Sequence, residues 1–365
     1  MREQMTPKER WLAMVRMQPV DRLPFWPKLD AAYPHAQRGR FSGWSLDELH
    51  AWMGSDRHVW IPPCVREVRQ RTAVEVVTEG RERRTIYTTP YGGTELVTRF
   101  DDDSQSWHPV RFPVRGRADI PILTAFFEDA AVELDEDLLA QNRARVDEIG
   151  QDGIVCSSIG ESPLMRWVEW LAGVERAHLL LADCRDEVEA LFAAMHRVLL
   201  DRARVLAEHS PVDMLYLVEN TSTTLISPAQ HARYCVPHLS EYGRIAHAHG
   251  RPLALHMCGH LDLLLPALAA LPADAFEAFT SPPLGNTRLI QGRAACPDVG
   301  LIGGTNAVLW TRPAAEIVAE VERDLDALPH HRGIALTSAG VMPPLAAPET
   351  IREVGRWVKA YPARM

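Results

Sequence analysis

The chain has 365 residues, 46% of them hydrophobic and 24% charged, with a formal net charge of −9. That is enough apolar material for a large buried core, and an acidic balance without a basic stripe speaks against a nucleic-acid binder. No uncharged run of about 18 residues occurs, so no membrane-spanning helix is expected. Met1 to Pro7 is polar and holds no apolar signal core, which makes the cytoplasm the expected location. Six scattered cysteines without a repeated spacing read as free thiols.

In chain order, Thr6-Pro7-Lys8-Glu9 predicts a helix start, with Thr6 as cap, Pro7 at the first helical position and Glu9 closing a capping box. The apolar, proline-punctuated stretch Asp21–Pro27 predicts a first buried strand, and Ser45-Leu46-Asp47-Glu48 starts a short helix. Val74–Val77 and Arg84–Thr89, joined by Glu79-Gly80-Arg81, predict a hairpin within an antiparallel insertion at about residues 66–100. From about residue 135, short apolar runs at Gly153–Ser157, Asp213–Val218, Pro252–His256, Asp274–Phe279, Gly300–Gly303 and Gly333–Thr337 alternate with helical stretches. Six such strands plus about two nearer the N-terminus predict an α/β fold, a single (β/α)8 TIM barrel over residues 1–365 carrying the small insertion.

In a parallel barrel, functional residues gather at the C-terminal strand ends. That rule selects Glu219-Asn220, His256-Met257-Cys258, Glu277, Thr305-Asn306 and Thr337-Ser338. His256 and Cys258, alternate residues of an extended segment, pair an imidazole with a thiol and suit zinc, although a buried histidine beside an inert thiol fits equally well. Glu219 closes a buried strand, where a carboxylate serves as metal ligand or general acid/base, or caps nearby backbone amides. Glu219, His256 and Asn220 are the catalytic candidates. Glu161, Glu277, Asn306 and Ser338 are substrate-binding candidates, together with Arg22 as a carboxylate anchor and Trp26. Trp44, Trp52, Trp60, Trp107, Trp167, Trp170 and Trp310 read mostly as core or interface, with one or two lining an aromatic or tetrapyrrole-sized pocket.

Thr6-Pro7-Lys8-Glu9-Arg10, Asp21-Arg22-Leu23-Pro24, Ser227-Pro228, Gly250-Arg251-Pro252, the His256–Gly259 motif and Pro343–Thr350 resemble, in matching order, the uroporphyrinogen decarboxylase superfamily. The hairpin at 74–89 resembles the insertion of its cobamide-dependent, methyltransferase-like branch. The arginine-rich loop of the haem-pathway decarboxylases is absent after Pro24, where Phe25-Trp26-Pro27-Lys28-Leu29 stands. The resemblance implies zinc held by His256, Cys258 and a later cysteine, but Ala339 occupies the place where that cysteine is expected. Glu219, His256 and Cys258 are the replacement ligand set, one oxygen, one nitrogen and one sulfur with a fourth position open.

The function expected from this is zinc-dependent transfer of a methyl group between a small substrate, a methoxylated compound or a thiol, and a corrinoid. No Asp-x-His-x-x-Gly stretch is present to hold a corrinoid, so a separate corrinoid protein is the expected partner. The resemblance also suggests a homodimer. The alternatives are a cofactor-free decarboxylase or other lyase acting on a carboxylated substrate, and a non-catalytic tetrapyrrole- or partner-binding barrel.

Overall fold

A computed structural model describes residues 4–365. β1 (Phe25–Trp26) and β2 (Arg57–Trp60) come first. An antiparallel excursion follows, built from β3 (Val65–Val68), β4 (Ala73–Glu79), β5 (Glu82–Thr89), β6 (Gly92–Asp101), β7 (Ser106–Arg111) and β8 (Ala131–Leu134). β9 (Gly153–Gly160), β10 (Met214–Val218), β11 (Leu253–His256), β12 (Ala275–Phe279), β13 (Gly300–Gly303) and β14 (Ile334–Thr337) then alternate with helices.

β1, β2 and β9 to β14 form one eight-stranded parallel sheet in the order β1-β14-β13-β12-β11-β10-β9-β2. This is the nearly closed cylinder of a (β/α)8 barrel, as the strand–helix alternation predicts. Beyond the predicted hairpin, the excursion adds β7 to the sheet β4-β5-β6-β7, and β3 pairs with β8 in a second small sheet. It therefore reaches Leu134, past the expected limit near residue 100. The sequence signal stopped short because β7 (Ser106–Arg111, SWHPVR) carries a proline and half-exposed polar residues in place of a β-branched run.

The helix Pro7–Val15 starts with the predicted capping box on Thr6 and Glu9. Its buried face, Trp11, Met14 and Val15, plugs the barrel interior together with Trp26, Ile154, Cys156, Met214, Tyr216, Ile302 and the small Ala254, Ala275 and Ala335. Alanines on three strands leave the volume that the two tryptophans fill, so the interior is packed instead of being a pore. Around the outside, helices lie on the sheet through stripes at helical spacing, such as Ile317, Val321 and Leu325 or Ile351, Val354 and Val358.

The seam between β1 and β2 is closed by one residue. Asp56 donates its backbone N–H to the Phe25 carbonyl at 2.8 Å, and its Oδ2 accepts the Phe25 N–H at 2.9 Å. The same carboxylate binds Arg10 at 2.5 Å and Arg22 at 2.6 and 3.0 Å, and it has no exposed surface. Arg22 is thus engaged at the N-terminal end of β1, away from the mouth, which corrects its expected role as a substrate anchor. Removing one partner of a buried ion pair leaves an uncompensated charge and costs about 3–5 kcal/mol. Asp56→Ala should show a loss of about that size in urea unfolding, whereas Glu349→Ala, which breaks a half-exposed pair with Arg40, should leave the midpoint unmoved.

Candidate active site at the barrel mouth

β11 ends in His256, and β12 carries Glu277 directly across the ladder. The two side chains meet through a short hydrogen bond between His256 Nδ1 and a Glu277 carboxylate oxygen. The other Glu277 oxygen accepts from Lys28 Nζ at 3.0 Å, just beyond β1. Glu277 has no exposed surface, and its own strand is bent where it sits: the register shifts between Glu277 and Phe279, and Ala278 adopts φ 61°. A bulge with a non-glycine residue in the left-handed region is a strain that clusters at functional sites.

Burial alone would drive the Glu277 carboxyl up, but Lys28 and His256 reverse this and hold it at about 2. Burial likewise opposes charge on His256, while Glu277 and hydrogen bonds to Cys258 and Glu277 carry it up to about 9. Lys28, Glu277 and His256 therefore form a cation–anion–cation chain near neutral pH. With Nδ1 facing Glu277, the imidazolium keeps its Nε2 proton to give.

The turn after β10 separates two neighbours. The His256 carbonyl accepts the N–H groups of both Glu219 and Asn220 at 3.0 Å, and Asn220 sits at φ 45°. Successive side chains leave this bend in opposite directions. Asn220 turns to the cavity, accepting from the Cys258 thiol at 3.4 Å and donating to Glu169 at 2.9 Å. Glu219 turns away and is fully buried, accepting the Ser162 N–H and hydroxyl at 2.6 Å each. Gly259 completes the turn after Cys258 at φ 148°, where a Cβ would lie 2.5 Å from that of Ser222.

The replacement zinc set does not assemble. Glu219 commits both oxygens to Ser162, and Ala339 is buried at the place of the expected cysteine. Among the described residues no group of three or more His, Cys, Asp or Glu side chains is arranged to hold a metal ion. His256 and Cys258 offer one nitrogen and one sulfur, half of a tetrahedral zinc site. The residues do not fit a resident zinc.

Carboxyls whose charged form burial disfavours surround the chain of charges instead. Glu169 is pushed up to about 8 by burial, against the Asn220 hydrogen bond and with the charges of Glu161 and Glu219 adding to the rise. Glu219 is pushed up to about 7 by burial, against its Ser162 hydrogen bonds. Glu161 is raised by burial despite Arg166 and a hydrogen bond from Trp170, and Asp30 is raised by burial despite Lys28.

Of the predicted site residues, the fold brings together Asn220, His256, Cys258 and Glu277, with Glu161 on the same side of the mouth. Three more are placed elsewhere. Trp26 is 1% exposed and stacked on His58 beneath the site. Asn306 is buried, holding Ser281 and Pro282 and capping Leu309. Ser338 is buried and donates to the Gly340 carbonyl. These three support the loops and the floor, because buried polar groups go first to unpaired backbone.

Lys28 and Glu169 escaped the sequence reading. Lys28 shares the inward parity of Trp26 two residues past it, a signal available from β1. Glu169 lies on the π-helical turn Trp167–Leu171, and an i→i+5 turn leaves no mark in a helical pattern.

If Glu277 holds the proton on His256, Glu277→Gln should drop the imidazole from about 9 to below its ordinary value near 6.5. Burial then acts unopposed by the carboxylate charge, and an NMR titration of the imidazole reads the change. An unchanged value in the variant would refute the assignment.

No helix among the described residues is long and apolar enough to cross a membrane. No curated protein sequence matches the chain. Among solved structures, a methyltransferase from Methanosarcina mazei superimposes over 98% of this chain and 99% of its own, with a TM-score of 0.59 at 14% identity, which shows a shared fold. A B12-independent methionine synthase from Shewanella sp. W3-18-1 covers 76% of this chain and 74% of its own at 11% identity, with a TM-score of 0.42. The family model for uroporphyrinogen decarboxylase (URO-D) matches residues 169–361, the half of the chain that carries Glu169, Asn220, His256, Cys258 and Glu277, and the chain belongs to that family.

Proposed function

We propose that this chain is a methyltransferase that takes the methyl group from the oxygen of a small methoxylated substrate and passes it to a corrinoid carried by a separate protein. The observation that carries the reading is the His256 imidazolium, held by Glu277 and Lys28 at the barrel mouth beside Cys258. Breaking a methyl–oxygen bond leaves the electron pair on oxygen, and a general acid must cap the alkoxide or phenoxide as it forms. His256 is placed to give that proton from Nε2, and Asn220 and Cys258 line the position where the oxygen would sit. Glu169, raised to about 8 by burial, accepts from the Asn220 amide beside this position. The reduced corrinoid supplies the nucleophile that accepts the methyl group. The near full-length likeness to the Methanosarcina mazei methyltransferase supports this choice of branch within the family.

Decarboxylation is the second reading. One observation favours it: the neutral Glu169 carboxyl could protonate a carbanion left by departing carbon dioxide. The two differ in product. Incubation with a methyl ether and a reduced corrinoid protein should yield the methylated corrinoid spectrum and the free alcohol in equal amounts. Release of carbon dioxide from a carboxylated substrate without any corrinoid would replace this reading with the second.

General acids contribute about 10²–10⁴-fold, so His256→Ala should lower kcat by at least about 10²-fold. The acid works protonated, so wild-type rates should fall as pH rises through about 9, and the Glu277→Gln profile should shift to lower pH. Metal analysis of zinc-supplied protein adds an independent check. About one zinc per chain, lost in both His256→Ala and Cys258→Ala, would overturn the proton-donor role and restore a metal-centred one.

A further inference from the structure

The antiparallel excursion ends in two open edges, and they are built differently. Among the described residues, the sheet order β4-β5-β6-β7 leaves β4 and β7 each paired on one side only. β7 is interrupted by Pro109, and its ladder to β6 shifts register between Val97 and Thr98. A residue without an N–H and a bulge are two devices that stop an edge from pairing further. β4 has neither. It runs in unbroken register with β5 from Ala73 to Glu79, and its Val74 and Val76 are 44% and 59% exposed. The strand is also held firmly. Asp129 accepts the N–H groups of Gln70, Arg71 and Thr72 just before it, and Tyr87, opposite Val74, packs edge-on against Phe126.

The hydrogen bonds that β4 offers follow from its neighbours. The Phe100 N–H donates to the Arg81 carbonyl at 2.8 Å, so Arg81 and, by alternation, Arg83, Thr85 and Tyr87 turn their N–H and C=O groups to β6. Their partners Thr78, Val76 and Val74 therefore turn theirs to the open edge. Two copies of β4 can meet antiparallel only where such residues oppose each other, and charge selects among the registers left. A two-fold axis at Glu75 sets Glu75 against its own copy, and an axis at Val77 sets Glu75 against Glu79; both oppose like charges. An axis at Val76 overlaps the whole strand. Val76 then meets Val76, Val74 meets Thr78, Glu75 meets Val77 and Glu79 meets Ala73, so no carboxylate faces another. Each Glu79 also comes to the strand end where the Arg71 side chain stands 73% exposed.

We propose that β4 is a dimerisation edge, pairing antiparallel with β4 of a second copy of this chain about a two-fold axis at Val76. About six backbone hydrogen bonds join the two sheets into one. Because β7 is blocked, the contact is isologous and the assembly closes at two copies instead of running on into a fibre. Pairing through this edge does not depend on the methyl-transfer reading of the mouth.

Sedimentation of the full-length protein over a concentration series tests this, with Val76→Pro and Val76→Lys each checked for an unchanged melting curve. Proline at 76 removes an N–H that faces the open edge and leaves the bonds between β4 and β5 in place. Lysine sets two ammonium groups against each other at the axis. Wild type should sediment as a dimer, and either substitution should weaken the association by at least about tenfold. Mild oxidation reads the register. Val76→Cys should cross-link to its own copy, since the Cα atoms of a bonded antiparallel pair lie about 5.5 Å apart. Glu75→Cys, whose copies are offset by two residues, should not. A wild type that stays monomeric, a dimer that survives either substitution, failure of Val76→Cys to cross-link, or cross-linking by Glu75→Cys overturns the proposal. If Val76→Pro does not fold, Val76→Lys and the two cysteine variants still decide.

Discussion

Asp56 is a single carboxylate placed where the barrel would otherwise fall open. β1 is only two residues long and pairs with β14 on one side. On its other side one backbone hydrogen bond and the Asp56 side chain join it to β2. Two arginines, one from the plug helix and one from the start of β1, surround that carboxylate in the interior. Such a pair adds little net stability over an apolar packing of the same volume, but it fixes geometry, because any other arrangement strands a buried charge. The plug helix, β1 and β2 are therefore locked in one register.

Everything at the mouth inherits that register. Lys28 follows β1 directly, so the placement of its ammonium against Glu277 depends on the seam below it. Glu277 then orients the imidazole and keeps it charged, and the bend after β10 sends Asn220 to the cavity while turning Glu219 into the wall. The result is a site with a cation–anion–cation chain on one side and, on the other, carboxyls whose charged form burial disfavours. Low local dielectric makes this arrangement effective, since fixed charges that water cannot screen act strongly on charge developing in a bound substrate.

An alanine stands at the late loop position, and the carboxylate that could have replaced it is bonded into the protein. What remains at the mouth is a histidine with a carboxylate partner, a thiol and an amide.

Much of the fold could be read from the chain alone. Capping boxes at Thr6 and Ser45, the alternation of apolar runs with amphipathic helices, and the hairpin turn at Gly80 are local patterns, set by backbone geometry and hydrophobic period within a few residues. The strand-end rule likewise pointed to His256, Cys258, Glu277 and Asn220, because position along a strand is also local. Partner choice is not local. Whether Arg22 faces a substrate or Asp56, whether Glu219 faces His256 or Ser162, and whether Glu169 reaches Asn220 depend on groups 34 to 57 residues away and on half-turn rotations of the backbone. The sequence by itself determined the barrel and the residues offered at its mouth. Only the tertiary structure decided which of them meet, because a buried polar group takes whatever partner the packing brings within about 3 Å of it.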